Sequence, residues 1–332
     1  MHSRTNTQFR GIQSMWSEYT SIEHQVPGGT YIHDLEQEAR VVESGEPYLA
    51  LLDCLALIRV SGEEAGSFLQ GQVTCDINQM GDQQAVLGAH CNAKGRAQAT
   101  FICVKQDADY LLLLPSDQVA GTVQVLSKFA MFSKADVSPE PNLLLCALGG
   151  GSAPELSPLI ATVFTLPELG TLGILEPAAA QALLQGAQEK SVTVVGDNAW
   201  MLSQINAGVV HITANQSEQW IPQEINYDLI QGINFKKGCY KGQEIVARIH
   251  YRGQTKVRVF PLEIHGCEQV RVGDKILSAG YQGTVLSVAK VSDRTLKVLT
   301  TLKTERSESE NLQLEQNDGC EIRVLPLPYA IT

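Results

Sequence analysis

LALIRVSGEEAGSFL (residues 55–69) changes hydrophobic period midway, and that change decides the fold. Leu55 to Val60 reads as a strand. Ser61 with Glu64 then makes a capping-box pattern that opens a short helix through Leu69. Downstream, Ala85 to Cys91 and Ala97 to Val104 read as two strands joined by the turn-rich Asn92-Ala93-Lys94-Gly95. A further strand, Tyr110 to Leu114, precedes a helix capped by Ser116 and running towards Met131. The order β-α-β-β-β-α predicts a split-βαβ, ferredoxin-like sheet with helices on one face.

A second unit of the same kind follows. Leu143 to Leu148 and Thr171 to Leu175 are predicted strands, Pro177 to Glu189 a helix with Pro early, and Val192 to Val195 a strand before a helix from Asp197. Gly149-Gly150-Gly151-Ser152 is a loop without the Lys-Ser/Thr pair of a phosphate cradle. After Gly253 the pattern is all-β: Thr255 to Ile264, Thr284 to Val291, Thr295 to Leu302 and Glu321 to Leu325 predict a small barrel or sandwich, with Glu305 to Asn317 as an exposed hairpin tip. The chain is therefore α+β. It divides into a weakly ordered N-terminal extension over 1–28, αβ units over 29–140 and 141–252, and a β-barrel over 253–332.

At 332 residues the chain is too long for one ordinary core, and its formal charge of −11 opposes a direct nucleic-acid-binding surface, which needs a basic stripe. Residues 1–25 lack a signal peptide's apolar core, and no apolar run reaches the roughly 20 residues of a membrane span. The eight cysteines are scattered, with no C-x-x-C pair and no zinc spacing, which reads as reduced thiols in a cytosolic protein without a metal site of its own.

The densest chemistry lies in FKKGCYKGQE (residues 235–244). Gly238 and Gly242 permit sharp backbone turns, and Ile245, Val246 and Ile249 recur at helical spacing, placing Cys239 just ahead of a helix N-terminus. Backbone amides, the helix macrodipole and the nearby Lys237 and Lys241 would there favour a thiolate; the alternative is a buried structural cysteine. Arg248 and Arg252 follow on the same helix and have the fork shape that pairs with carboxylates, or else are solvated charge. His90 and Cys91 sit side by side in a predicted strand, so they point to opposite faces and read as structural.

KKGCYKGQEIVAR resembles the signature of the YgfZ family, folate-binding proteins related to the T-protein (aminomethyltransferase) of the glycine cleavage system. The resemblance extends through DCLALIRVSGEEAGSFLQGQVTCDI (53–77), AHCNAKG (89–95), KFAMFSK (128–134), WIPQ (220–223) and PLPY (326–329). It implies two αβ units and a barrel arranged as a ring around a central opening. It also implies a site for tetrahydrofolate or another reduced folate, with Trp200 stacking on the ligand and Arg248 at its glutamate tail. Two positions depart from the family: a second folate-site tryptophan is replaced by Leu55, and a glutamate common at the pterin edge is replaced by Asn206.

The T-protein's hairpin aspartate has no counterpart either, because no acid occurs between Asp82 and Asp107. Aminomethyl transfer is therefore not expected. The resemblance implies instead an accessory protein that supports iron-sulfur cluster assembly or repair in client enzymes, including those that methylthiolate tRNA. Cys239 would be the working thiol, set by Lys237, Tyr240, Gln243 and Glu244, and its partners would be folate and iron-sulfur client enzymes or assembly factors. A folate-dependent one-carbon transferase or demethylase is the alternative within the enzymes, and a structural adaptor with an inert Cys239 the alternative outside them.

Overall fold

A computed structural model describes residues 15–20, 24–26, 29–167, 169–278, 280–306, 312–317 and 319–331. Its elements form three main sheets. In the first, Ala85–Cys91, Ala97–Gln106, Asp109–Pro115, Leu55–Ser61 and Asp136–Glu140 lie in that order, every neighbouring pair antiparallel. Side-chain alternation sorts its two faces. Leu55, Leu57, Leu111 and Leu113 enter a large central core, while Ile58, Val60, Leu112 and Leu114 pack under the helices Ala65–Gln70 and Val119–Ala130.

The second sheet runs Thr162–Leu166, Gly170–Leu175, Leu144–Gly149, Tyr48–Leu52 and Thr193–Val195. Ala50 and Leu52 point into the central core, whereas Leu49 and Leu51 face the helix Ala180–Glu189 through Leu183 and Ala187. The strand Tyr48–Leu52 was not expected, and it joins this sheet although it precedes the first in sequence. Its apolar run is buried on both faces and so shows no alternation to read. The division expected at residue 140 thus does not follow the sheets.

The third sheet is barrel-like, with the order Gln313–Leu314, Lys275–Ser278, Tyr281–Ser292, Thr295–Lys303, Val257–His265 and Glu321–Val324. Its longest strand bends at register shifts between Val285 and Ser287 and between Lys290 and Ser292, as strands at barrel corners do. Val259, Leu286, Ala289 and Leu299 of this sheet share the central core with both αβ units. One apolar cluster therefore holds the three sheets together.

Several local expectations are corrected. The Ser61–Glu64 capping box does not form: Glu64 occupies the N-cap without a side-chain bond, and its carboxylate accepts Lys134 N–H at 3.0 Å instead. Ser116 opens a short 3-10 turn rather than capping the following helix. The extension is anchored within its described part, where Trp16 is fully buried and donates from Nε1 to Leu145 O at 2.9 Å; the rest of residues 1–28, and 307–311 of the expected hairpin tip, lie outside the described residues. Cys267 and Cys320 form a disulfide across the ends of paired strands, Cα to Cα 5.6 Å, so not all eight cysteines are reduced. Among the described residues, no helix is long and apolar enough to cross a membrane, and no cluster of His, Cys, Asp or Glu has the makings of a metal site.

Candidate functional site

Cys239 lies three residues ahead of Gly242, the N-cap of the helix Gln243–Arg252, and is exposed. The loop carrying it is held by its neighbours. Lys237 is buried, and its Nζ donates to the carbonyls of Gln70, Val73 and Cys75 at 2.8, 2.6 and 2.7 Å. Those bonds use all its donors. Burial lowers its pKa to about 8, and the ring of buried Tyr240 lies 5.1 Å from the ammonium.

Lys241 donates its backbone N–H to Gly71 O, while its ammonium sits 4.6 Å over the Phe129 ring and 3.5 Å from Gln98 Oε1. Neither lysine hydrogen-bonds the Cys239 thiol, because each ammonium is held by other partners. Lys237 is a structural peg. Gln243 closes the turn through its N–H to Tyr240 O, and Glu244 is exposed in the first helical turn, where an acid suits the macrodipole.

Gly242 has φ +85°, and a Cβ there would fall 2.5 Å from Asn92 O. Gly95, at φ +71°, faces it from the hairpin: a Cβ on Gly95 would reach 2.9 Å from Ile245 Cβ and 3.3 Å from Gly242 O. The two glycines let the backbones interlock, which fixes where the loop stands. Gly238 has open space around a would-be Cβ, so nothing steric requires glycine there.

The remaining free cysteines contrast with Cys239. Cys75, Cys91, Cys103 and Cys146 are buried and Cys54 is half-buried. Burial pushes Cys75, Cys91 and Cys146 up to about 12, and Cys54 and Cys103 well above the ordinary thiol value. His90 and Cys91 are both buried as expected of structural residues. His90 Nδ1 lies 3.0 Å from Gln72 O, and burial lowers its pKa to about 4.

Of the residues expected at a folate site, Leu55 and Arg248 lie on other elements, whereas Trp200 and Asn206 lie on the helix Asp197–Asn206. Two side chains of its first turn clamp it. Asp197 accepts the N–H groups of Asp53 and Cys54 at 2.9 and 3.1 Å, its pKa raised by burial to about 6; Asn198 exchanges two bonds with the Lys290 backbone, each 2.8 Å. Trp200 is 1% exposed in the central core, its ring tilted 30° against His211 with centroids 5.1 Å apart. Trp200 Nε1 and His211 Nδ1 are both buried without a hydrogen-bond partner.

Asn206, at the helix end, donates to Glu43 at 3.2 Å and accepts from Lys297 at 3.3 Å, while Lys297 also pairs with Glu43 at 2.7 Å. Leu55 is buried at a cavity of about 210 Å³ lined mostly by apolar side chains between the two αβ sheets. Arg248 and Arg252 are exposed on the motif helix. Sequence reasoning missed His211, Glu43 and Lys297, which no motif marks and only the third dimension brings together.

Comparison with known protein sequences gives the family. The chain is 30% identical over 309 residues to the tRNA-modifying protein YgfZ of Pectobacterium carotovorum, covering 86% of this chain and 92% of that one. The chain belongs to the YgfZ family. YgfZ of Colwellia psychrerythraea is 34% identical over 232 residues, 65% of this chain and 72% of its own. No family model matches. Among solved structures, the glycine cleavage system aminomethyltransferase T of Bartonella henselae superposes with a TM-score of 0.67 over 92% of this chain and 91% of that chain, at 16% identity. That likeness establishes the T-protein fold.

The stretches that resemble YgfZ also meet in space. KGCYKG interlocks with AHCNAKG through Gly242 and Gly95, and KFAMFSK supplies Phe129 beneath Lys241. From WIPQ, Gln223 donates to Val246 O of the motif helix at 2.7 Å. From PLPY, Tyr329 donates to Gly208 O at 2.6 Å, just beyond the Trp200 helix.

Proposed function

We propose that this protein is a folate-binding accessory protein that supports assembly or repair of iron-sulfur clusters in client enzymes and, through them, methylthiolation of tRNA. The observation that carries the reading is Cys239, the exposed free thiol, on a loop whose neighbouring side chains and glycines are pinned. A thiol so presented is built to meet a partner rather than to fill a core, and the relatives' name, tRNA-modifying protein, gives the direction of the work. Reduced folate would be held by Trp200, with Asn206 at the pterin edge, Arg248 for the carboxylate tail and Leu55 as an apolar wall. Trp200 Nε1 and His211 Nδ1, buried without partners on neighbouring rings, would offer polar atoms to a heteroaromatic ligand that reached them. Bound folate would supply a carrier for one-carbon units. Glu43, hydrogen-bonded to Asn206 and paired with Lys297, would bring a carboxylate to that end of the helix.

The transferase reading keeps the ligand but lacks its acid: the strand Ala97–Gln106 carries no carboxylate, and Gln98 gives its amide to Glu218 and its carbonyl to Lys241. The deciding experiment is complementation of tRNA methylthiolation in cells lacking the gene. Wild type should restore the modification and Cys239→Ala should not; full rescue by Cys239→Ala would remove the thiol from the function. Saturable methylene transfer to tetrahydrofolate by the purified protein would restore the transferase.

A further inference from the structure

Large apolar side chains stand exposed at few described positions, and three of them fall within four residues: Phe129 at 38%, Met131 at 81% and Phe132 at 87%. They end the helix Val119–Ala130, whose turns continue through the N–H groups of Met131 and Phe132 to Ser127 O and Phe129 O. Lys128 therefore stands one turn from both Met131 and Phe132. Lys241 caps Phe129 from the Cys239 loop. Among the described residues neither Lys128 nor Lys241 has a carboxylate within ion-pair distance, whereas Lys134 at the far edge is paired with Glu63 at 2.7 Å.

This apolar patch is edged by the ammonium groups of Lys128 and Lys241, on a chain of formal charge −11. Such a patch marks an interaction site when it is contiguous and rimmed by charge. It is also continuous with the Cys239 loop, because Lys241 is two residues from the thiol.

We infer that Phe129, Met131 and Phe132, with Lys128 and Lys241, form the docking surface for a partner protein that presents an apolar pocket rimmed by Asp and Glu, and that docking there brings the partner to Cys239. The charge of the rim selects an acidic partner, and the side chains that fill the pocket supply the area. The inference rests on the reading of Cys239 as a thiol that serves a partner.

The test places the photo-crosslinker p-benzoylphenylalanine at position 132 in cells, with the exposed barrel position 272 as control. A discrete adduct whose attachment site lies in an apolar, acid-flanked segment of another protein, and which falls about tenfold or more in the Lys128→Glu background, is the expected result. Attachment to a second copy of this chain, to RNA, or a pattern equal to that at position 272 overturns the inference. In parallel, the double variant Met131→Glu/Phe132→Glu should unfold at the wild-type temperature and keep wild-type Cys239 alkylation, yet lose tRNA methylthiolation in the complementation assay. Retained methylthiolation overturns the docking surface. If wild type itself fails to complement, the proposed function falls and the crosslink alone judges the surface.

Discussion

The Cys239 loop and the Trp200 helix treat their polar atoms in opposite ways. In the loop the ammonium of Lys237 and the backbone N–H of Lys241 have protein partners, and the one reactive group faces solvent. Around Trp200 the frame is equally well held, by Asp197 and Asn198, but an indole N–H and an imidazole nitrogen are buried with nothing to bond. Leaving a buried polar group unsatisfied costs about 1–3 kcal/mol. A ligand at Trp200 would therefore relieve a cost, whereas a partner at Cys239 would use a group already presented. On the proposed reading, the first region would offer a group and the second would receive a ligand.

The largest effect that would break this contrast is expected from Trp200→Ala. The ring fills the core shared by all three sheets, and its loss should cost about 3–5 kcal/mol in denaturant unfolding. Trp200→Phe keeps most of the volume, so it is the variant for titrating folate: binding should weaken while the fold persists, and unchanged binding would remove Trp200 from the site. Gly242→Ala comes next, at about 2–4 kcal/mol, because its Cβ would strike Asn92 O and its φ is left-handed. A wild-type midpoint would show that the two glycines do not lock the loop.

Acid should act on the buried side of the comparison. His90 and His211 have pKa values lowered to about 4 by burial, so between pH 6.5 and 4 the unfolded chain binds protons that the folded chain refuses. Stability must then fall with pH, by at most about 1.4 kcal/mol per pH unit for each histidine. Asp197, raised to about 6, works against this trend: over about pH 4 to 6 the folded carboxyl holds a proton that the unfolded one has released. His211→Gln should flatten the acid limb, and an unaltered slope would exclude His211 as a source.

The smallest expected effect on stability belongs to Cys239→Ser, within about 0.5 kcal/mol of wild type because the thiol is exposed. Its chemical effect should be the opposite in size. Native alkylation should modify Cys239 about 100-fold faster than any other cysteine and vanish in the variant; a faster buried thiol would overturn the loop's open geometry.

Strands joined to their neighbours by short turn-rich hairpins were legible from sequence: Ala85–Cys91 was placed to the residue and Thr295–Lys303 nearly so. Tyr48–Leu52 was not: burial on both faces leaves no alternation to read, and its partners are distant strands, so no hairpin turn marks it. The Cys239 motif announced its glycines and its helix, since turn residues and helical spacing are local signals. What Lys237 does was not local. Its acceptors lie on a segment more than 160 residues earlier, and proximity in sequence to Cys239 suggested a partner that three carbonyls had already taken. Trp16 escaped for the same reason, as its acceptor is Leu145 O.

The placement of Tyr48–Leu52 has a consequence during synthesis. Its neighbours are Leu144–Gly149 and, in parallel, Thr193–Val195, so on the ribosome this strand emerges early and must wait for both. At about 5–20 residues per second the first neighbour follows only after roughly 5–20 s, and through that interval five consecutive apolar residues, Tyr48 to Leu52, have an unpaired backbone. Nascent chains in which residue 52 has cleared the exit tunnel but residue 149 has not should therefore be bound by holdase chaperones at this segment, and released once residue 149 emerges.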